Sequence, residues 1–158
     1  MAVSTAAVLG FTGRLLLASL FIMSGVMKVA HHEEPGKGPF VAYMAPKMDA
    51  VLDRLQQSTG VRVPLQQATY PLLVLAAGCM ELLGGVLFTL NLKLGAVLLM
   101  LFLVPTSLVM HNFWELEHGS PAQQIEYINF MKNLCLFGAF LMFLSLPRQA
   151  APAKYKVH

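Results

Sequence analysis

Residues 68–110 read ATYPLLVLAAGCMELLGGVLFTLNLKLGAVLLMLFLVPTSLVM, and this stretch decides the fold. Glu81 and Lys93 are its only charged side chains. A helix crosses the hydrocarbon of a bilayer with about 20 mostly apolar residues. Two such runs lie here, from about Ala68 to Leu90 and from about Leu92 to Met110. Only Leu90-Asn91-Leu92-Lys93 joins them, so a tight antiparallel hairpin is expected. Strands of a membrane barrel alternate apolar and polar residues over about 10 positions. Ala96 to Val104 is apolar without a break, which favours helices. Pro105 removes a backbone donor and is expected to kink the third helix near its end.

Working outward, a first run extends from about Val8 to Val29 and a fourth from about Glu126 to Leu146. The fold expected is all-α: an integral membrane four-helix transmembrane bundle forming a single domain over residues 1–158, with a basic tail from 147 to 158. Composition agrees. The chain is 56% hydrophobic and 12% charged, against about 25% charged in soluble domains. Mean hydropathy is +0.62. A body of 17.3 kDa has too much surface for its volume to hide so many apolar side chains. Nothing basic precedes Arg14, and the first apolar run is long, so it reads as a retained span rather than a cleaved leader.

The connection from Ala30 to Gln67 begins irregularly at Pro35, Gly36, Gly38 and Pro39. Met48, Val51, Leu52 and Leu55 then recur at helical spacing, opposite Asp49, Asp53 and Arg54. A short amphipathic helix is expected there, on the membrane surface or capping the bundle. The connection from His111 to Ile125 turns at Gly119, Ser120 and Pro121.

Net charge is +3, but the basic residues form no stripe interleaved with aromatics, so no nucleic acid is expected as a partner. Cys79 and Cys135 each lie in an apolar run, without a Cys-x-x-Cys spacing, and read as buried small hydrophobes. No metal site is expected, and the sequence pairs no nucleophile with an adjacent base, so no catalytic residue is assigned.

Ionisable groups at membrane depth are costly and usually face protein or a wet cavity. Arg14, Glu81 and Lys132 stand out, with Asn133 beside the last. Gly78, Gly84 and Gly85 flank Glu81 on its helix, and small residues let a neighbouring helix approach. At about 1.5 Å rise per residue, Arg14 and Glu81 differ in depth by about 4–5 Å, and Lys132 lies about 8 Å further. The expectation is an intramembrane network of Arg14, Glu81, Lys132 and Asn133, with Arg14 the first partner of Glu81. It can be an ion pair that fixes packing or the wall of a polar pocket. Lys28, His111, Asn112 and Trp114 are expected at the membrane interface, Lys28 by snorkelling and His111 as a helix cap.

Four blocks carry a family resemblance. They are Arg14-Leu15-Leu16-Leu17 leading to Phe21-Ile22-Met23-Ser24-Gly25-Val26-Met27-Lys28; Glu81-Leu82-Leu83-Gly84-Gly85; His111-Asn112-Phe113-Trp114; and Phe130-Met131-Lys132-Asn133-Leu134. In order and spacing the chain resembles the DoxX family of four-helix membrane proteins, and within it the HR-like lesion-inducing group. The resemblance implies a four-helix bundle and defines no reaction. Vitamin K epoxide reductase is distantly similar in architecture, but its Cys-x-x-Cys has no counterpart here.

The functional expectation is a non-catalytic four-span membrane protein, a structural or accessory subunit or an adaptor of a larger membrane complex. Membrane lipids and other membrane proteins are its expected partners, and it needs no cofactor. The alternative is a lipid- or quinone-handling protein, redox-linked or not, with a polar pocket at Glu81. Lys154 and Lys156 form a Lys-x-Lys-x-x pattern that resembles a retrieval signal for the endoplasmic reticulum. An inner mitochondrial or plastid membrane is the alternative location. An even number of crossings places both termini on one side, and the basic residues near helix ends favour the cytosol, matrix or stroma.

Overall fold

The structure, a computed structural model, describes residues 4–31 and 38–147. Lys154 and Lys156 lie outside the described residues. Five helices carry the fold: α1 (Thr5–Ala30), α2 (Pro39–Thr59), α3 (Tyr70–Thr89), α4 (Lys93–Met110) and α5 (Pro121–Ser145). Single 3-10 turns, Gln67–Thr69 and Phe113–Glu115, lead into α3 and follow α4. The four helices other than α2 are long and apolar enough to cross a membrane, and the chain is an integral membrane four-helix bundle. The two deciding runs are α3 and α4.

The hairpin between α3 and α4 closes as the short connection requires. Asn91 takes a left-handed conformation with φ of 65°. Its N–H donates to the carbonyl of Phe88 at 3.0 Å, and the N–H of Leu92 donates to that of Leu87 at 3.0 Å. This pair of bonds satisfies carbonyls that the end of a helix leaves open, and Asn is among the residues that tolerate the geometry. Gly95 then sits against the backbone of α3. A Cβ there would lie 2.7 Å from the carbonyl oxygen of Gly84.

Two boundaries differ from the sequence reading. The fourth span begins at Pro121, five positions before the apolar run. Ser120 caps it, accepting the N–H of Gln123 at 3.2 Å, and Pro121 fills the first turn, where no donor is needed. The amphipathic helix is longer than the stripe that announced it. It starts at Pro39 and runs through Pro46 to Thr59, with Gly60 in the left-handed conformation behind it. Met48, Val51 and Leu52 are half-buried and Leu55 is exposed. α4 stays helical through Pro105 to Met110, with the hydroxyls of Thr106 and Ser107 bonded to the carbonyls of Phe102 and Leu103.

α1 packs on α3, α3 on α4, and α4 on α5. The core is aromatic where the four meet. Phe21 of α1, Phe88 of α3, Phe102 of α4 and Phe140 of α5 are buried, and their rings contact one another at centroid separations of 5.0–6.4 Å. α2 lies across α3 and α4. Its Val41 is buried with Tyr70 and Val74, and Phe40, Met44 and Met48 pack around them. Cys79 and Cys135 are not buried. Both are free and exposed on the outer faces of α3 and α5. Within an apolar span, hydropathy does not distinguish the face towards lipid from the face towards protein, which is why the sequence reading placed them inside.

Candidate functional site

The seam between α1 and α3 is set by small residues. A Cβ on Gly25 would lie 2.7 Å from both the carbonyl oxygen of Gly78 and the backbone nitrogen of Leu82. Only glycine allows this approach, and it fixes the register of the two helices. The register brings Ser24 and Lys28, one helical turn apart on α1, onto Glu81 of α3. Lys28 Nζ donates to Glu81 Oε2 at 2.6 Å and to Ser24 Oγ at 2.6 Å, and Ser24 Oγ donates to Glu81 Oε1 at 3.0 Å. Glu81 is 3% exposed. The rings of Phe40 and Phe102 lie 5.4 and 5.6 Å from the ammonium.

This corrects the expected network. Arg14 does not reach Glu81. Its Nε faces the carbonyl of Thr89 at 3.4 Å, at the far end of α3 and about 12 Å along the helix from Glu81. Lys132 is exposed, and no hydrogen bond or ion pair joins it to the described residues. Asn133 faces an apolar groove between α4 and α5, with Leu103, Ser107 and Phe130. Depth counted from the ends of the apolar runs misses this register, because the glycine contact slides α1 so that Gly25, not Arg14, is level with Glu81. Lys28 therefore turns inward, towards the buried carboxylate, rather than snorkelling.

A second cluster lies where α2, the end of α4 and the start of α5 converge. Glu126 Oε1 accepts from Lys47 Nζ at 2.5 Å and from Tyr43 Oη at 3.1 Å. Its Oε2 faces His111 Nδ1 at 2.8 Å and Asn129 Nδ2 at 3.5 Å. A carboxylate only accepts, so the His111 proton sits on Nδ1. Lys47 also donates to the Met110 carbonyl at 2.5 Å and to Tyr43 Oη at 2.9 Å. Partial burial works to lower the Lys47 pKa, but the bonds to Glu126 and Tyr43 outweigh it and hold the ammonium above its ordinary value. Arg54 pairs with Glu115, and Asp49 accepts from Tyr70 and from Gln67. These pairs strap α2 along its length to the other elements.

The sequence reading placed His111 as a cap, and it does terminate α4. It missed the rest of the second cluster. Tyr43 and Lys47 are one turn apart, a visible signal, but their partner lies 79 positions beyond Lys47. Asn112 is half-buried and Trp114 exposed. The Trp114 ring packs edge-on against Phe113 and Phe130.

A pocket of about 280 Å³ joins the two clusters. Lys28 contributes to it from the first, and Tyr43 and His111 from the second. Phe40 and Met44 of α2 roof it, and Val74, Ala77, Phe102, Thr106 and Met110 of α3 and α4 complete the wall. Glu81, sealed in the seam behind Lys28, does not line it.

Against known proteins, the family described as HR-like lesion-inducing matches residues 6–146. No curated protein and no solved structure matches the chain.

Proposed function

We propose that this chain, which belongs to the HR-like lesion-inducing family, is a non-catalytic membrane component: a structural or accessory subunit, or an adaptor, of a larger membrane complex. One observation carries the reading. The two carboxylates within the spans are spent on holding helices together. Glu81 joins α3 to α1, and Glu126 joins α5 to α2 and α4. Groups tied into such pairs order a fold, and the stability of the pair depends on both members being present. Meanwhile α1 and α5 leave broad apolar faces uncovered, with 11% and 6% of their 18-residue apolar stretches buried within the chain. Lipid and neighbouring membrane proteins are the partners that such faces suit.

The four sequence blocks support a place for the family within the wider DoxX set. The Lys154 and Lys156 pattern supports residence in the endoplasmic reticulum. Purification in a mild detergent, after cross-linking in the native membrane, tests the function. A membrane protein recovered in fixed ratio, and lost when the outer face of α5 is altered at Leu134 and Leu141, is the expected result. Recovery of the chain alone, at the mass of a monomer, would count against the subunit reading.

A further inference from the structure

We propose that the space beneath α2 is a binding site for a neutral lipophilic molecule carrying a carbonyl oxygen, which Lys28 holds. The ammonium of Lys28 has three N–H donors. Glu81 and Ser24 take two of them. Among the described residues the third meets no acceptor, and the side chain lines the pocket with the faces of Phe40 and Phe102 close by. An N–H bond in so apolar a recess is costly to leave unmade, so an occupant that brings an acceptor is favoured over a pure hydrocarbon.

Charge selects against an anion. Glu81 already neutralises Lys28 at 2.6 Å, so a carboxylate entering the pocket gains no unpaired cation and still loses its hydration. A carbonyl oxygen takes the open N–H without that cost. Size selects further. About 280 Å³ falls just below the usual range for small-molecule pockets, roughly 300–1,000 Å³, which suits one fused bicyclic ring rather than a whole lipid. Phe40 and Phe102 offer ring faces for it, and the small side chain of Ala77 takes little room from the wall.

The test uses the full chain in one detergent and three probes built on a fused ten-carbon bicycle: α-tetralone, naphthalene and 1-naphthoate. The readout is the midpoint of thermal unfolding. At about ten times its dissociation constant, α-tetralone should raise the midpoint by about 4 °C. Naphthalene should give less than half of that shift, and naphthoate none. Ala77→Leu, which adds bulk to the pocket wall and changes no charge, should abolish the response to α-tetralone. Removing the pair as a whole, Lys28→Met with Glu81→Leu, avoids a stranded charge and should make α-tetralone and naphthalene equivalent. Equal shifts by α-tetralone and naphthalene in the native protein would overturn the proposal. So would a preference for naphthoate, or a preference for the ketone that survives in the double variant.

Discussion

Glu81 and Lys28 tie α3 to α1 through a largely buried ion pair. Each is largely withdrawn from solvent, and each is the other's ionic partner. Losing one member strands the other, a loss of about 3–5 kcal/mol for a buried pair. Glu81→Gln alone and Lys28→Met alone should therefore each lower the unfolding midpoint strongly. The combined change should recover part of the loss, and strictly additive losses, measured in one detergent, would refute the coupling. Arg14→Leu should have a small effect, since among the described residues Arg14 reaches a single carbonyl, at 3.4 Å. Lys47 adds a pH dependence. Its folded pKa is raised above the ordinary 10.5. The bonding of protonated Lys47 thus contributes fully below pH 10.5 and is lost as pH rises through the higher folded value. The stability difference between the native chain and Lys47→Met should stay flat up to about pH 10 and shrink above it. A difference that grows with alkalinity would contradict this.

Two joints between elements can be probed separately. At the α1–α3 seam, Gly25→Ala places a methyl group against the α3 backbone. The helices must part, and the geometry of Lys28 on Glu81 parts with them. A cost of about 1–3 kcal/mol is expected, as for other overpacked cores. Gly13→Ala meets nothing within 4 Å and serves as the control, expected to be neutral or slightly stabilising. At the α3–α4 hairpin, the left-handed Asn91 makes a sharper comparison. Asn91→Gly should match or exceed native stability, whereas Asn91→Val should lose about 1–2 kcal/mol. Thermal unfolding checks both series. Equal behaviour of Gly and Val at position 91 would show that the turn does not hold the conformation described.

For the whole molecule, the arrangement of four spans places α2 and the α4–α5 connection on one side and the α3–α4 hairpin on the other. A glycosylation acceptor inserted beside Gly38 and another placed after His158 should differ in modification in an endoplasmic reticulum system. Modification of both, or of neither, would contradict an even number of crossings. The cysteines report on the lateral surface. Both are exposed on helices that cross the membrane, where lipid withholds the water that a reacting thiolate needs, so a membrane-impermeant charged maleimide should leave Cys79 and Cys135 unlabelled in intact membranes and label them once the protein is unfolded in a denaturing detergent. Ready labelling by the charged reagent would mean that those faces meet water.

Sequence alone determined what depends on composition along the chain. Four apolar runs of spanning length, the helical rather than barrel character of Ala96 to Val104, and the tight joint at Asn91 follow from local rules of burial and backbone geometry. Family membership was legible in the same way, because its blocks are contiguous. That Glu81 needs a partner was legible too, since a carboxylate deep in an apolar run needs one wherever it lies. Which partner was a tertiary matter. Apolar runs have soft ends, so depth counted from them drifts by a turn or more, and only the Gly25–Gly78 contact sets the register that chooses Lys28 over Arg14. The facing of Cys79 and Cys135, the gathering of Lys47, His111 and Glu126, and the pocket beneath α2 were decided likewise. Each requires knowing which faces of different helices meet, and an apolar span, hydrophobic all round, carries no periodic signal that tells one face from another.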